Sequence, residues 1–314
     1  MNTLNRKTIA LMAATIVLCA VAGTAEAKRH GGGGGGGGDG AAMERGIQLA
    51  QQKQFDAAVS EFTKAIQANP KSTNAYANRA TAYRASGRFA EAIADYTKVI
   101  ELSPKDQMAY RERGNTQVMQ KAYDLAMPDL DKAIEMKPDD PLSYKFRGFA
   151  ELGLNQWDKA AADFTTAIQK DPNDLQNYDR RAFAYRGLKN FDAAIADYGF
   201  LLEKNPNDAE VLAKRGYTYS LMMQYQKAIS DYEAALKIKA DDYDTVQRLQ
   251  YARGMLAGQN APSATPTPTP AAATEILTPV NVVIALIVLM IVAVIIRMVT
   301  RGKEEPTSSS TRIR

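Results

Sequence analysis

The sequence predicts an all-α solenoid of repeated helix pairs, followed by a single helix that spans a membrane. First, prolines recur every 34 residues, at Pro70, Pro104, Pro138, Pro172 and Pro206. Second, two amphipathic segments of roughly 12–14 residues, the usual length of a helix, separate successive prolines. Third, an apolar run with one polar member lies near the C-terminus, at residues 280–296. Self-similarity at a fixed period of this size indicates a repeat array.

The repeats form six units of 34 residues. Their ranges are 39–72, 73–106, 107–140, 141–174, 175–208 and 209–242. Positions 8, 20 and 27 of the unit hold mostly Gly or Ala, which allows the two helices of a unit to approach closely. Positions 17 and 24 hold large side chains, such as Phe55 and Phe62 in the first unit, and we expect them to fill the space between successive hairpins.

The last position of each unit is a side chain that can cap the helix that follows. These residues are Ser72, Asp106, Asp140, Asp174, Asp208 and Asp242. Their oxygens can accept hydrogen bonds from the free N–H groups of the next first turn. After Asp242 the apolar spacing continues to Leu256, which predicts a solvating cap helix over residues 243–256, as repeat arrays require.

Each unit also carries an arginine at position 7 and an acidic residue at position 23. The arginines are Arg45, Arg79, Arg113, Arg147, Arg181 and Arg215, and the acidic residues are Glu61, Asp95, Asp129, Asp163, Asp197 and Asp231. Identical spacing in all units predicts a ladder of ion pairs between the two helices. The alternative is a row of arginines that binds an anionic ligand.

An aromatic at position 4, small residues at positions 8, 20 and 27, and proline at position 32 together resemble the tetratricopeptide repeat (TPR) family. The position-4 aromatics are Tyr76, Tyr110, Tyr144 and Tyr178. The resemblance implies a right-handed superhelical solenoid of antiparallel helix pairs, with a concave groove that holds a segment of a partner protein. It does not identify the partner.

The same resemblance implies that positions 2, 5, 9, 12 and 13 of each first helix line the groove. The candidate groove residues are Asn78, Thr81, Arg84, Arg111, Asn115, Lys145, Phe149, Leu152, Asp179, Phe183, Arg186 and Tyr217. A polar, basic end beside an aromatic end suits a peptide with an acidic part and apolar anchors. Alternatively, the three aromatics at position 9 only pack against neighbouring helices. A clamp for a C-terminal carboxylate, found in some family members, is not expected because Phe146 occupies one of its positions.

The N-terminal flank has two features. Residues 1–27 combine a basic start, a short apolar run and an Ala-x-Ala site, which predicts a secretory signal cut before Lys28. Residues 28–40 contain eight consecutive glycines, which predicts a flexible tether.

The C-terminal flank predicts a spacer, an anchor and a tail. Residues 257–275 are rich in Pro and Thr, which favours an extended linker. Residues 276–296 are predicted to form a transmembrane helix. Basic residues follow in the tail, 297–314, so we expect a cytoplasmic C-terminus and repeats on the periplasmic or extracellular side.

Charge and composition limit the function. The formal net charge is +4, but residues 39–258 hold 30 Lys and Arg against 31 Asp and Glu, so the array offers no basic face for nucleic acid. The only Cys and the only His, Cys19 and His30, precede the array, so we expect no catalysis, no cofactor and no metal. The predicted function is a membrane-anchored scaffold for protein–protein interaction. The alternatives are a receptor for an envelope glycan, which would use the arginine and aromatic rows, and an enzyme limited to carboxylates. Self-association through the ends of the array is left open.

Overall fold

The structure is a computed structural model that describes residues 39–260 and residue 290. The predicted signal, the tail and, apart from Met290, the predicted transmembrane helix lie outside the described residues, as do most of the predicted tether and linker. Within the described part of the chain, no helix combines the length and apolar character that a membrane span requires. The chain divides after Leu256, and the repeats lie in the first of the two units.

Residues 39–260 fold into thirteen α-helices. They are α1 (Asp39–Gln51), α2 (Phe55–Ala68), α3 (Thr73–Ala85), α4 (Phe89–Leu102), α5 (Gln107–Met119), α6 (Tyr123–Met136), α7 (Pro141–Gly153), α8 (Trp157–Lys170), α9 (Leu175–Gly187), α10 (Phe191–Lys204), α11 (Ala209–Leu221), α12 (Tyr225–Ile238) and α13 (Tyr243–Asn260). The odd-numbered helices are the first, or A, helices of each repeat, and the even-numbered ones are the second, or B, helices. Successive helices pack against each other, and A helices of neighbouring repeats also touch, as between α1 and α3 and between α5 and α7. The array is therefore a helical solenoid.

Two boundaries differ from the sequence prediction. Helix α1 already includes Asp39 and Gly40, which were also assigned to the tether. Helix α13 continues to Asn260 rather than ending at Leu256, because its last residues, through Gln259 and Asn260, contain no proline. The first proline after it is Pro262, two residues beyond the observed end.

The first five B helices end two residues before the periodic proline, because a proline disfavours the helical conformation at the residue directly before it. The ring of a proline clashes with a helical backbone at the preceding residue and drives it into an extended conformation. Asn69, for example, has φ −137° and ψ 89°. Lys239 has nearly the same angles, −133° and 83°, although Ala240 replaces the proline there. The turn geometry is therefore retained in the last repeat without the ring.

The predicted caps are confirmed at the start of five A helices. The side chains of Ser72, Asp106, Asp140, Asp174 and Asp208 each accept a hydrogen bond from a backbone N–H of the first turn. In the sixth case, Asp242 accepts a hydrogen bond of 2.7 Å from the hydroxyl of Thr245.

The small and large positions of the unit face each other. A Cβ atom added to Gly46 would lie 2.5 Å from the Phe62 ring, so position 8 faces position 24 within one repeat. A Cβ atom added to Gly187 would lie 2.5 Å from the ring of Trp157, so position 17 reaches the next repeat. Position 24 also reaches the next repeat, since Phe62 shares a core cluster with Ala82 of repeat two, so both large positions lie between hairpins as expected and position 24 fills the interior of its own hairpin as well.

The predicted ion-pair ladder is confirmed in all six repeats. In five of them the arginine binds both oxygens of an aspartate through Nε and Nη2, at 2.7–3.0 Å. In the first repeat Arg45 makes a single contact of 2.9 Å with Glu61. Such two-point contacts fix both the distance and the orientation of the A and B helices.

Most of these arginines also bind the preceding repeat. Nη1 of Arg79 donates to the Thr63 hydroxyl at 3.0 Å, and that hydroxyl donates to the carbonyl of Val59. Arg113 and Arg181 repeat the arrangement with threonines, and Arg147 uses Asp131 instead. The equivalent position beside Arg215 is Gly199, and none of the described residues replaces the missing contact.

We predict that Gly199→Thr stabilises the protein more than Gly199→Val. Both side chains are β-branched and of equal size, and a Cβ atom at Gly199 meets nothing within 4 Å. Only threonine offers Arg215 an oxygen, which should add about 1 kcal/mol to the free energy of unfolding. Chemical denaturation of both variants and the parent measures the difference. Equal stability of the two variants would show that the inter-repeat contact contributes nothing.

Candidate functional site

All twelve predicted groove residues lie on A helices. Asn78, Thr81 and Arg84 lie on α3, Arg111 and Asn115 on α5, Lys145, Phe149 and Leu152 on α7, Asp179, Phe183 and Arg186 on α9, and Tyr217 on α11. We call the surface formed by these helices the A-helix face. The residues follow each other from repeat to repeat, so the array orders them in a row.

The first part of this row is a network of ion pairs centred on Glu112. Arg84, only 5% exposed, donates a hydrogen bond of 2.5 Å to Glu112. Arg111 donates to Glu112 at 2.8 Å and to Asp140 at 3.2 Å. Burial opposes ionisation of Glu112, but Arg84 and Arg111 outweigh it and lower its pKa to about 2. Glu112 is therefore a carboxylate at any physiological pH.

The predicted basic end is accordingly not free to bind an acidic ligand. Sequence reasoning selected Arg84 and Arg111 but missed Glu112 and Asp140, which bind them. The polar neighbours are also engaged or covered. Thr81 contacts the Tyr96 hydroxyl at 3.0 Å, Asn78 donates to the Asn74 carbonyl, and Asn115 is 3% exposed.

The middle of the row is paired in the same way. Lys145 donates a hydrogen bond of 2.6 Å to Asp174, the last residue of the same repeat, which caps helix α9. Asp179 accepts one of 2.6 Å from Lys214, which lies in the next repeat. These two candidates therefore join neighbouring A helices.

The aromatic end contains both packed and exposed rings. Phe149 meets Phe164 edge-to-face, with 5.5 Å between ring centroids, and packs with Leu152 against buried residues. Phe183 meets Trp157 in a similar way at 5.6 Å, yet it stays 39% exposed. The packing alternative therefore describes Phe149 well and Phe183 only in part.

Arginines line the same end. Arg186 lies 5.4 Å from the centroid of the Phe183 ring and 5.1 Å from that of Tyr217. Arg180 lies 5.6 Å from the Phe149 ring, and Arg248 lies 4.4 Å from the Tyr217 ring.

Sequence reasoning missed Arg180 and Arg248, although a signal was present. Both occupy position 6 of their repeat, Arg248 in an incomplete seventh unit, whereas repeat three has Glu112 at this position. A comparison of position 6 alone would have shown the change of charge along the array.

Two stretches of the chain, residues 77–141 and residues 209–242, match profiles of the tetratricopeptide repeat. The chain carries tetratricopeptide repeats. No curated protein matches it significantly.

Solved structures share the TPR fold with this chain. A chain of the APC/C hetero-tetramer Cut9–Hcn1 is 21% identical with a TM-score of 0.57, over 68% of this chain and 43% of that one. This chain thus spans less than half the length of that relative. YrrB is 23% identical with a TM-score of 0.53, over 62% and 97% of the two chains. The pilF protein of Pseudomonas aeruginosa is 16% identical with a TM-score of 0.58, over 69% and 96%. Identities this low show the common fold.

The TPR array provides few groups for chemistry. Within residues 39–260, no group of three or more His, Cys, Asp or Glu side chains is placed to hold a metal ion. The carboxylates of the A-helix face described above are bound by arginine or lysine. What this face can do is contact another molecule through rings, guanidinium groups and polar side chains.

One buried carboxyl group of the fourth TPR differs from the others. Glu151 is 3% exposed, and its Oε2 atom has no hydrogen-bond partner among the described residues. Burial and the nearby Asp163 raise the pKa of Glu151 to about 8, and Arg147 and Lys159 only partly oppose this. In repeats two, five and six the same position holds tyrosine, which contacts the position-7 arginine through its ring.

We predict that Glu151 makes the stability of the array fall as the pH rises from about 5 to about 8. The raised pKa means that the folded state holds a proton that the unfolded state releases above its ordinary pKa of 4.5. The contribution is therefore complete below pH 4.5 and is lost as the pH passes through 8.

Glu151→Gln should remove this pH dependence. The free energy of unfolding of the variant should therefore exceed that of the parent by an amount that grows with pH and reaches on the order of 2 kcal/mol at pH 8. Denaturation at pH 5, 6.5 and 8 measures it, with Glu203→Gln, an exposed site on α10, as the matched control. Parallel pH profiles of Glu151→Gln and the parent would contradict the prediction.

Proposed function

We propose that this protein is a scaffold that binds a segment of a partner protein on the A-helix face of repeats four to six and catalyses no reaction itself. The observation that carries the proposal is Phe183, a large ring left 39% exposed beside Arg186 and Tyr217. Aromatic and arginine side chains are the residues that most often dominate binding at protein interfaces.

The fold supports this function in a second way. A solenoid held by ion pairs in every repeat keeps its A helices in register, so a partner segment meets a surface that is already ordered. YrrB, which shares the fold, is described as a TPR protein with an unusual peptide-binding site. Glycan binding through the arginine row is less well supported, because the position-7 arginines are bound by carboxylates.

We further propose that the scaffold is anchored in a membrane with its repeats on the periplasmic or extracellular side. This part rests on the sequence alone. A cleavable signal over residues 1–27, an apolar segment over 276–296 and basic residues after it all predict the same topology.

Binding is tested with Phe183→Ala in the full-length protein, because Phe183 is the most exposed of the three aromatic residues at position 9. Leu125→Ala on α6 is the matched control, since Leu125 is also a large exposed apolar residue, at 67%. Both variants and the parent are used to capture proteins from detergent-solubilised membranes, after circular dichroism has shown that they are folded. The affinity for a captured partner is then measured with the purified proteins.

We expect Phe183→Ala to weaken binding of the captured partner by roughly tenfold to thirtyfold, since loss of a central contact costs about 1.4–2 kcal/mol. Leu125→Ala should bind as the parent does. If Phe183→Ala binds normally, or if no partner is captured, the A-helix face of repeats four to six is not the binding surface.

Topology is tested with single cysteines in a Cys19→Ser background. Ser60→Cys lies on α2 at an exposed position, and Ser309→Cys lies in the predicted tail. A maleimide that cannot cross membranes should label Ser60→Cys on intact cells or spheroplasts and Ser309→Cys only after lysis. The reverse pattern, or recovery of both in the soluble fraction, would contradict the anchored topology.

A further inference from the structure

Towards the end of the array, guanidinium groups and aromatic rings from different A helices lie against each other. The guanidinium of Arg186 lies 5.4 Å from the centroid of the Phe183 ring and 5.1 Å from that of the Tyr217 ring. The guanidinium of Arg248 lies 4.4 Å from the centroid of the same Tyr217 ring. The residues come from α9, α11 and α13, so the contacts join three successive A helices. We call these four residues the arginine–aromatic stack.

Arg186 differs from other cations of this face in having no ion pair. Arg84, Arg111, Lys145 and Lys214 are each within 3 Å of a carboxylate oxygen. No ion pair joins Arg186 to any carboxylate in residues 39–260. Its Nη1 atom donates only a long hydrogen bond, of 3.3 Å, to the Tyr198 hydroxyl, and its Nε atom is buried without a partner.

Arg180, six residues earlier on α9, is similar. It rests on the Phe149 ring, and its buried Nε atom also makes no hydrogen bond among the described residues. An oxygen of Asp179 lies 3.8 Å from that nitrogen, which is too far for a hydrogen bond. Each of these two guanidinium groups of α9 thus has a buried Nε–H group without a hydrogen-bond partner among residues 39–260.

A guanidinium that stacks on a ring keeps its charge and directs its N–H groups outward in the plane of the group, where a carboxylate can accept them. The exposed edge of Phe183 beside Arg186 offers an apolar contact at the same place. We propose that the arginine–aromatic stack recognises a segment in which an acidic side chain lies next to an aromatic or branched apolar one. This inference rests on the proposed function and specifies the partner's chemistry.

The surrounding charges favour a single acidic group over a polyanion. Asp179 and Glu210 bind Lys214, and Asp244 binds Arg248, so carboxylates border the stack. A nucleic acid would bring many phosphates against these carboxylates, and the array as a whole carries a slight negative charge. One carboxylate can reach Arg186 without such repulsion.

The test selects peptides from a phage-displayed library of random twelve-residue sequences, with the full-length protein in detergent micelles as the target. Enriched peptides are synthesised and their affinities are measured by fluorescence anisotropy. The variants are Arg186→Met, which keeps an unbranched side chain between the rings, and Arg186→Lys, which keeps the charge. Arg88→Met, at an exposed turn in the second repeat, is the matched control for the loss of one positive charge.

We expect enriched peptides to place Asp or Glu within two residues of an aromatic or branched apolar residue. Arg186→Met should bind them at least tenfold more weakly, Arg186→Lys should retain part of the affinity, and Arg88→Met should match the parent. Binding should also weaken as salt is raised, since the contact is between charges at a surface. Thermal melts of each variant separate loss of binding from loss of folding.

Three results would overturn the inference. One is that the enriched peptides lack acidic residues, bind Arg186→Met as tightly as the parent, and bind Phe183→Ala more weakly. This result would refute the proposed partner chemistry and leave the proposed function standing. A twelve-residue oligothymidylate that binds more tightly than every selected peptide would favour nucleic acid instead. If neither the parent nor any variant enriches a peptide, the proposed function fails as well, so the two failures are distinguishable.

Discussion

The two-point ion pair between the position-7 arginine and the position-23 aspartate is the contact on which the array depends. It ties the A helix to the B helix within a repeat, and the third nitrogen of most of these arginines reaches the repeat before. The arginine side chains in the five two-point pairs are only 16–25% exposed, so removal of one partner would leave a charge largely shielded from water. The same residues therefore set the geometry within each hairpin and the angle between hairpins.

Because this ladder uses the position-7 arginines, the proposed binding relies on other cations. These other cations of the A-helix face have two kinds of partner along the array. In repeats two to four, Arg84, Arg111 and Lys145 join neighbouring helices through carboxylates, which makes this part a rigid polar surface. In repeats five to seven the arginines rest on rings, and the Nε–H group of Arg186 has no hydrogen-bond partner among residues 39–260. The structural role and the proposed binding role are thus separated along the chain.

The repeat period, the caps and the ion-pair ladder could be predicted because each depends on residues at fixed spacing. The roles of Arg84 and Arg111 could not, because Arg84 meets Glu112, and Arg111 meets Asp140, only when neighbouring A helices pack. The positive φ of 58° at Met223 could not be predicted from its residue type either. The same position holds Lys, Asn or Gly in the other repeats, and only Gly and Asn favour such a conformation. Three-dimensional neighbours, rather than residue types, decided which predicted groove residues are free.

The sequence by itself determined the helix pairs, their number and their register. A proline follows the first five B helices and small residues set the closest approach of helices, and both effects are local. The tertiary structure decided which charges remain available, because an arginine's partners come from other helices. That is why the predicted basic end is neutralised, why Glu151 has a raised pKa beside Asp163, and why the aromatic end also holds Arg186, which has no ion pair within residues 39–260.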